Sequence, residues 1–145
     1  MHSVNHSLII NSSPEKVWAY LLDPTNFAEW SSTCQSSDHV SEGDVRVGSR
    51  VREVRNLLGV QMESTYEITE LVDTPERKIL STKTLDGPVP FQFKWTLEPA
   101  AMGTRFTGEG GGQWTDAHED ELVESAAQKG LEHDMDMLKH LVEAR

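Results

Sequence analysis

The chain has 145 residues, with 24 Asp and Glu against 13 Lys and Arg, for a formal net charge of −11. That length is the usual size of one domain and buries most of its apolar surface. The charge argues against a basic nucleic-acid-binding face and against docking on anionic lipid. No segment reaches the apolar length of a membrane span, and Met1 to His6 lacks the basic-then-apolar pattern of a secretory signal. Cys34 is the single cysteine, so no internal disulfide framework exists. The expectation is a cytoplasmic protein with no nucleic-acid partner and no membrane insertion.

In chain order, residues 3–11 read as a first strand. Ser12 or Ser13 then caps a helix with Pro14 at its first position. Val17, Trp18, Leu21 and Leu22 form its buried side, and Asp23-Pro24 ends it. A short helical turn, Thr25 to Glu29, carries Phe27 towards Trp30. Ser31 to Ser41 is polar and reads as a loop leading into an irregular strand, with turns at Gly43 and Gly48.

The pattern then becomes β. Ser49–Asn56 is a strand, and Leu57-Leu58-Gly59 turns it into Val60–Glu70. There Val60, Met62, Ser64, Tyr66 and Ile68 share one face and the intervening polar residues the other. Such alternation describes a sheet covered on one side only. Pro75 precedes a strand near Arg77–Thr84, and Asp86-Gly87-Pro88 turns the chain back. Phe91, Phe93, Trp95 and Leu97 alternate with Gln92, Lys94, Thr96 and Glu98, and Ala101-Met102-Gly103 closes a hairpin into Thr104–Trp114.

Glu119–Arg145 reads as one long helix, about 39 Å at the α-helical rise. Asp116 and Glu119 form a capping pair, and Lys139, His140 and Arg145 suit the negative end of the dipole. Gly130 costs the helix about 1 kcal/mol relative to alanine. On a wheel, Val123, Ala127, Leu131, Met135, Leu138, Leu141 and Val142 make an apolar arc. Asp134 interrupts its middle. A carboxylate there needs pairing, protonation or a wet cavity, unless the helix is rotated or a surface gap opens beside it. The elements predict a single α+β domain, residues 1–145. In it a curved antiparallel sheet of about seven strands wraps the closing helix, with two short helices after the first strand.

The run from Ser13 to Pro24, closing with Phe27 and Glu29-Trp30, resembles the opening of the SRPBCC superfamily. Val47-Gly48-Ser49-Arg50 and Gly103-Thr104-Arg105-Phe106-Thr107 match two further stations of that pattern. More narrowly the chain is similar to the polyketide cyclase/dehydrase-like branch, kin to START lipid-transfer and birch-pollen-allergen proteins. The resemblance implies a helix-grip fold with a cavity between the sheet and the final helix. It does not imply an activity, since the superfamily includes cyclases, hydrolases, carriers and receptors.

Met62, Ser64, Tyr66, Phe91, Phe93, Trp95 and Phe106 from the strands are the expected lining, with Leu131, Asp134, Met135 and Leu138 from the helix and Trp30 at the mouth. Tyr66 is a candidate partner for Asp134. Asp134 is the one candidate acid or base, and no second group is placed beside it by spacing. Arg50, Arg52 and Arg55 with Glu53 read as a solvated face; one arginine turned inward would suit Asp134 or a ligand carboxylate, and parity alone leaves open which. Gly108, Gly110, Gly111 and Gly112 lack the Lys-Ser/Thr of a phosphate loop and read as a bend or open volume under the helix. Pairs such as His133 and His140, or His2 and His6, are too far apart to share an ion. No metal or other cofactor is expected, and nothing in the sequence sets an oligomeric state. Three readings follow: a carrier of a small hydrophobic molecule (aromatic, polyketide-like or lipidic), a cyclase or dehydratase using Asp134, and a protein-interaction module with an incidental pocket.

Overall fold

A computed structural model describes residues 2–57, 59–87, 90–112 and 120–145. Strand β1 (His2–Ile10) leads into α1 (Pro14–Leu22), a 3-10 turn at Pro24–Asn26 and the one-turn α2 (Phe27–Trp30). Six strands follow: β2 (Cys34–His39), β3 (Arg50–Leu57), β4 (Val60–Asp73), β5 (Lys78–Asp86), β6 (Phe91–Ala100) and β7 (Gly103–Gly112). Helix α3 (Asp120–Glu143) closes the chain. The order is the predicted one.

Local chemistry explains the punctuation. Ser13 is the cap of α1, its Oγ accepting from the Lys16 amide at 3.2 Å, and Pro14 takes the first position, where a missing N–H costs nothing. Asp23 ends α1 and in turn accepts from the Thr25 amide at 3.0 Å to start the 3-10 turn. Gly103 has φ +140°, and a Cβ there would strike the backbone carbonyl of Ile10, so the β6–β7 turn requires glycine.

The strands form one antiparallel sheet in the order β1-β7-β6-β5-β4-β3-β2. The polar segment after Ser31 does hold a strand, and its pairing with β3 slips between Cys34 and Ser36. β4 runs on to Asp73, beyond the expected Glu70, through a register shift between Ile68 and Glu70. That bulge lets Ile68 and Leu71, of opposite parity, both reach the core.

α3 lies against the inner face, with Leu131, Met135, Leu138 and Val142 buried among Val4, Ile10, Val17, Leu97 and Phe106. It also covers the free edge of β1. Gln128 bonds both the amide and the carbonyl of Asn5 (3.1 and 2.7 Å), Lys139 Nζ donates to the Ile9 carbonyl (3.0 Å), and Glu143 accepts from the Asn11 amide (2.7 Å). An unpaired edge that would otherwise template aggregation is satisfied by side chains. Arg145 fastens the end of the helix: its guanidinium lies 4.6 Å from the Tyr20 ring centroid, and its carbonyl accepts from Lys16 Nζ. The expected capping residue Asp116 and the end of the strand at Trp114 lie outside the described residues. Among the described residues no helix is long and apolar enough to cross a membrane.

Candidate functional site

Strand pairing decides which side chains look inward. Val51 pairs with Tyr66, Glu53 with Ser64 and Arg55 with Met62, so the odd residues of β3 share the inner face predicted for β4. Arg52 points outward to Glu63, at 3.0 Å and well exposed. Arg55 turns in. Its Nε meets Glu53 Oε1 at 2.8 Å, its Nη1 donates to Thr33 Oγ1 at 2.8 Å, and its Cζ lies 5.1 Å from the Phe27 ring centroid. The arginine side chain is 30% exposed and that of Glu53 10%, so the pair sits inside the fold with one arginine edge reachable.

The groups around this pair are held in their neutral or fully charged forms. Burial pushes the Tyr66 hydroxyl well above the ordinary phenol range, and the Glu53 carboxylate adds to it. Burial likewise lifts the Cys34 thiol to about 11, against the opposing effect of Arg55. For Arg55 itself burial works against the charge, yet Glu53 more than compensates and holds its pKa above the usual value. Ser37 Oγ lies close enough to favour ionisation of Tyr66 but outside hydrogen-bonding geometry, since this 3%-exposed hydroxyl has no hydrogen-bond partner.

Beside the polar corner stands an aromatic wall. Phe91, Phe93 and Trp95 follow one another along β6, with ring centroids 5.9 and 4.3 Å apart. Trp95 stacks on Phe106 at 5.2 Å and meets Trp30 edge-on at 5.4 Å. The glycines of β7 make this wall possible. A Cβ on Gly108 would come within 2.6 Å of the Trp95 ring, and one on Gly110 within 2.5 Å of Phe93. The open volume expected beneath the helix is thus occupied by rings leaning across from the neighbouring strand.

The expected lining residues divide into two groups. Met62, Ser64, Tyr66, Phe91, Phe93 and Trp95 face inward yet stay partly exposed. Trp30, Phe106, Leu131, Met135 and Leu138 are sealed in the core, and the last two offer no surface at all. The space between sheet and helix is therefore packed solid beside Leu97 and Val142 and reachable by solvent beside Phe91 and Tyr66.

Asp134 does project from the apolar arc and is partly exposed, but its partner is not Tyr66. Its Oδ1 accepts from the Ser32 backbone amide at 2.9 Å, tying α3 to the segment after α2. The inward arginine pairs with Glu53 and not with Asp134. The sequence places Glu53 on a solvated face and leaves open which arginine of β3 turns inward, and it does not single out Ser37 or Thr33, although a signal for the register was available. Leu57 stands opposite Val60, and counting back from that pair puts Arg55 and Glu53 on the Met62 face.

A concavity of about 820 Å³ lies on the opposite face of the sheet, where Ser3, Asn5, Ser7, Lys83, Lys94 and Glu109 surround an open saddle. It lacks enclosed apolar walls and stands away from the polar corner. Among the described residues no group of three His, Cys, Asp or Glu is placed to share a metal ion.

The model of a family described as "Polyketide cyclase / dehydrase and lipid transport" matches residues 1–143. The chain belongs to that family. Among solved structures, a Thermus thermophilus protein superposes with TM-score 0.83 at 21% identity, over 98% of this chain and 97% of that one. A START superfamily protein from Mycobacterium smegmatis gives TM-score 0.84 at 13% identity over 99% of each chain. An aromatase/cyclase from Streptomyces sp. R1128 gives 0.78 at 17% identity, over 99% of this chain and 94% of that one. These likenesses establish the helix-grip fold. No curated protein matches the sequence.

Proposed function

We propose that this member of the polyketide cyclase/dehydrase and lipid transport family binds a small, mainly apolar molecule between the sheet and α3. The ligand is aromatic, polyketide-like or lipidic. It lies along Phe91, Phe93 and Trp95, with Met62 and Ser64 beside it, and sets its polar end against Tyr66 and Arg55. The observation that carries this reading is that large apolar side chains facing the interior remain accessible to solvent. A core built only for stability would close over them.

Binding is favoured over catalysis by the state of the polar groups. The raised thiol of Cys34 and phenol of Tyr66 stay protonated near pH 7, and Arg55 stays charged. The corner offers hydrogen bonds, and its carboxylates are already engaged, Glu53 by Arg55 and Asp134 by the Ser32 amide. The second reading, a cyclase or dehydratase that uses the same space with Asp134 as acid or base, draws on the fold shared with an aromatase/cyclase. It predicts that Asp134→Asn abolishes turnover while sparing affinity.

The test is a titration of tryptophan emission with three probes of one shape, naphthalene, 2-naphthol and 2-naphthoate, alongside native mass spectrometry of the purified protein. Saturable quenching by at least one probe, lost in Trp95→Leu, is the expected result. No saturation by any probe up to its solubility limit overturns the proposal.

A further inference from the structure

Resting on that reading, we infer that the polar end of the ligand is uncharged: a phenol, ketone or alcohol, not a carboxylate, phosphate or ammonium. The sequence invites the opposite conclusion, because a lone inward arginine is a ready carboxylate receptor. The structure removes that option. Arg55 meets Glu53 at 2.8 Å inside the fold, and the two charges cancel.

An anion brought to Arg55 gains no net attraction, faces Glu53 at close range and still loses its hydration. Asp134 adds further negative charge near this corner, close enough for both Glu53 and Asp134 to oppose ionisation of Cys34. A cation meets the Arg55 guanidinium, the more exposed member of the pair, and also loses its hydration.

What the corner lacks is a neutral hydrogen-bonding partner. Arg55 has five N–H donors, of which Nε and one on Nη1 are engaged with Glu53 and Thr33. Ser37 sits opposite Glu53 in the β2–β3 register, and its Oγ, on a residue 3% exposed, makes no hydrogen bond. The Tyr66 hydroxyl lies close by. A buried polar atom without a partner is an unmet requirement, and an oxygen that both donates and accepts would satisfy it without adding charge. Alcohols and phenols do both; a ketone satisfies the donors alone.

The experiment compares 2-naphthol, 2-naphthoate and 2-naphthylmethylammonium at pH 7, where the first is neutral and the others are charged. Against the wild-type protein, 2-naphthol is expected to bind at least about tenfold more tightly than either charged probe. Glu53→Gln keeps the side-chain shape and releases the Arg55 charge, so in that variant 2-naphthoate should gain at least about tenfold relative to 2-naphthol. A cooperative thermal melt checks that the variant is folded, and the wild-type ordering decides the matter independently of it. Binding of 2-naphthoate or the ammonium probe as tightly as 2-naphthol to the wild-type protein overturns this inference while leaving the binding function standing. Failure of every probe removes the binding reading itself.

Discussion

Replacing Gly108 by alanine should destabilise the protein although alanine is the better residue for most purposes. The new Cβ would lie 2.6 Å from Trp95 Cζ3, 3.1 Å from Cε3 and 3.2 Å from Met135 Sδ. The indole cannot retreat freely, because Phe106 is stacked on it at 5.2 Å and Trp30 abuts it at 5.4 Å. Met135 is fully buried. Overpacking at a site of this kind costs about 2 kcal/mol. In a domain of this size that lowers the melting temperature by about 8 °C. Calorimetry reads the loss, and a shift in tryptophan emission should accompany it if the ring is driven towards the accessible space. Gly130→Ala is the matched control: nothing lies within 4 Å of its Cβ. There the better helix propensity should add about 1 kcal/mol. A Gly108→Ala protein that melts at or above the wild-type temperature would refute the account of why β7 is rich in glycine.

Three further outcomes follow from the polar groups. Arg55→Met leaves Glu53, 10% exposed, without its counter-charge, and should cost about 3 kcal/mol in urea unfolding, whereas Arg55→Met with Glu53→Leu should recover most of that loss. Equal destabilisation by the single and double variants would show that the charge pairing is irrelevant to stability. Cys34 is lifted from 9.0 to about 11 by burial, so its contribution to stability is fully present below pH 9 and is lost as the pH rises towards 11. Alkylation of the folded protein at pH 8 should accordingly be about a hundredfold slower than in denaturant, on thiolate fraction alone, and equal rates would contradict the buried placement. Asp134→Asn keeps the acceptor for the Ser32 amide and should change stability by less than about 0.5 kcal/mol, while Asp134→Leu should lose about 1 kcal/mol. Equal losses in the two variants would mean that the charge of Asp134 matters more than the hydrogen bond.

The elements were readable because their signals are local. Ser13-Pro14 specifies a helix start, period-two alternation marks the covered face of β4 and β6, and the wheel of α3 picks out Leu131, Met135, Leu138 and Val142, all of which are buried. Asp134 was correctly singled out as the exception on that arc, yet its partner was not legible. The Ser32 amide is 102 residues away, and backbone donors leave no mark in side-chain chemistry. The irregular strand expected in the polar stretch is β2, but its bounds were not legible because its regularity is broken between Cys34 and Ser36.

What the sequence determined by itself was the face each element must bury, and with it the helix-grip arrangement of sheet and closing helix. Periodicity is a property of one segment and survives without knowledge of its neighbours. The tertiary structure alone decided the chemistry of the interior. The β3–β4 register turned Arg55 and Glu53 inward together, and cross-strand packing filled the glycine clefts with the rings of Phe93 and Trp95. A one-residue slip between strands exchanges every inward and outward side chain, so the charge of this corner is settled only when the strands pair.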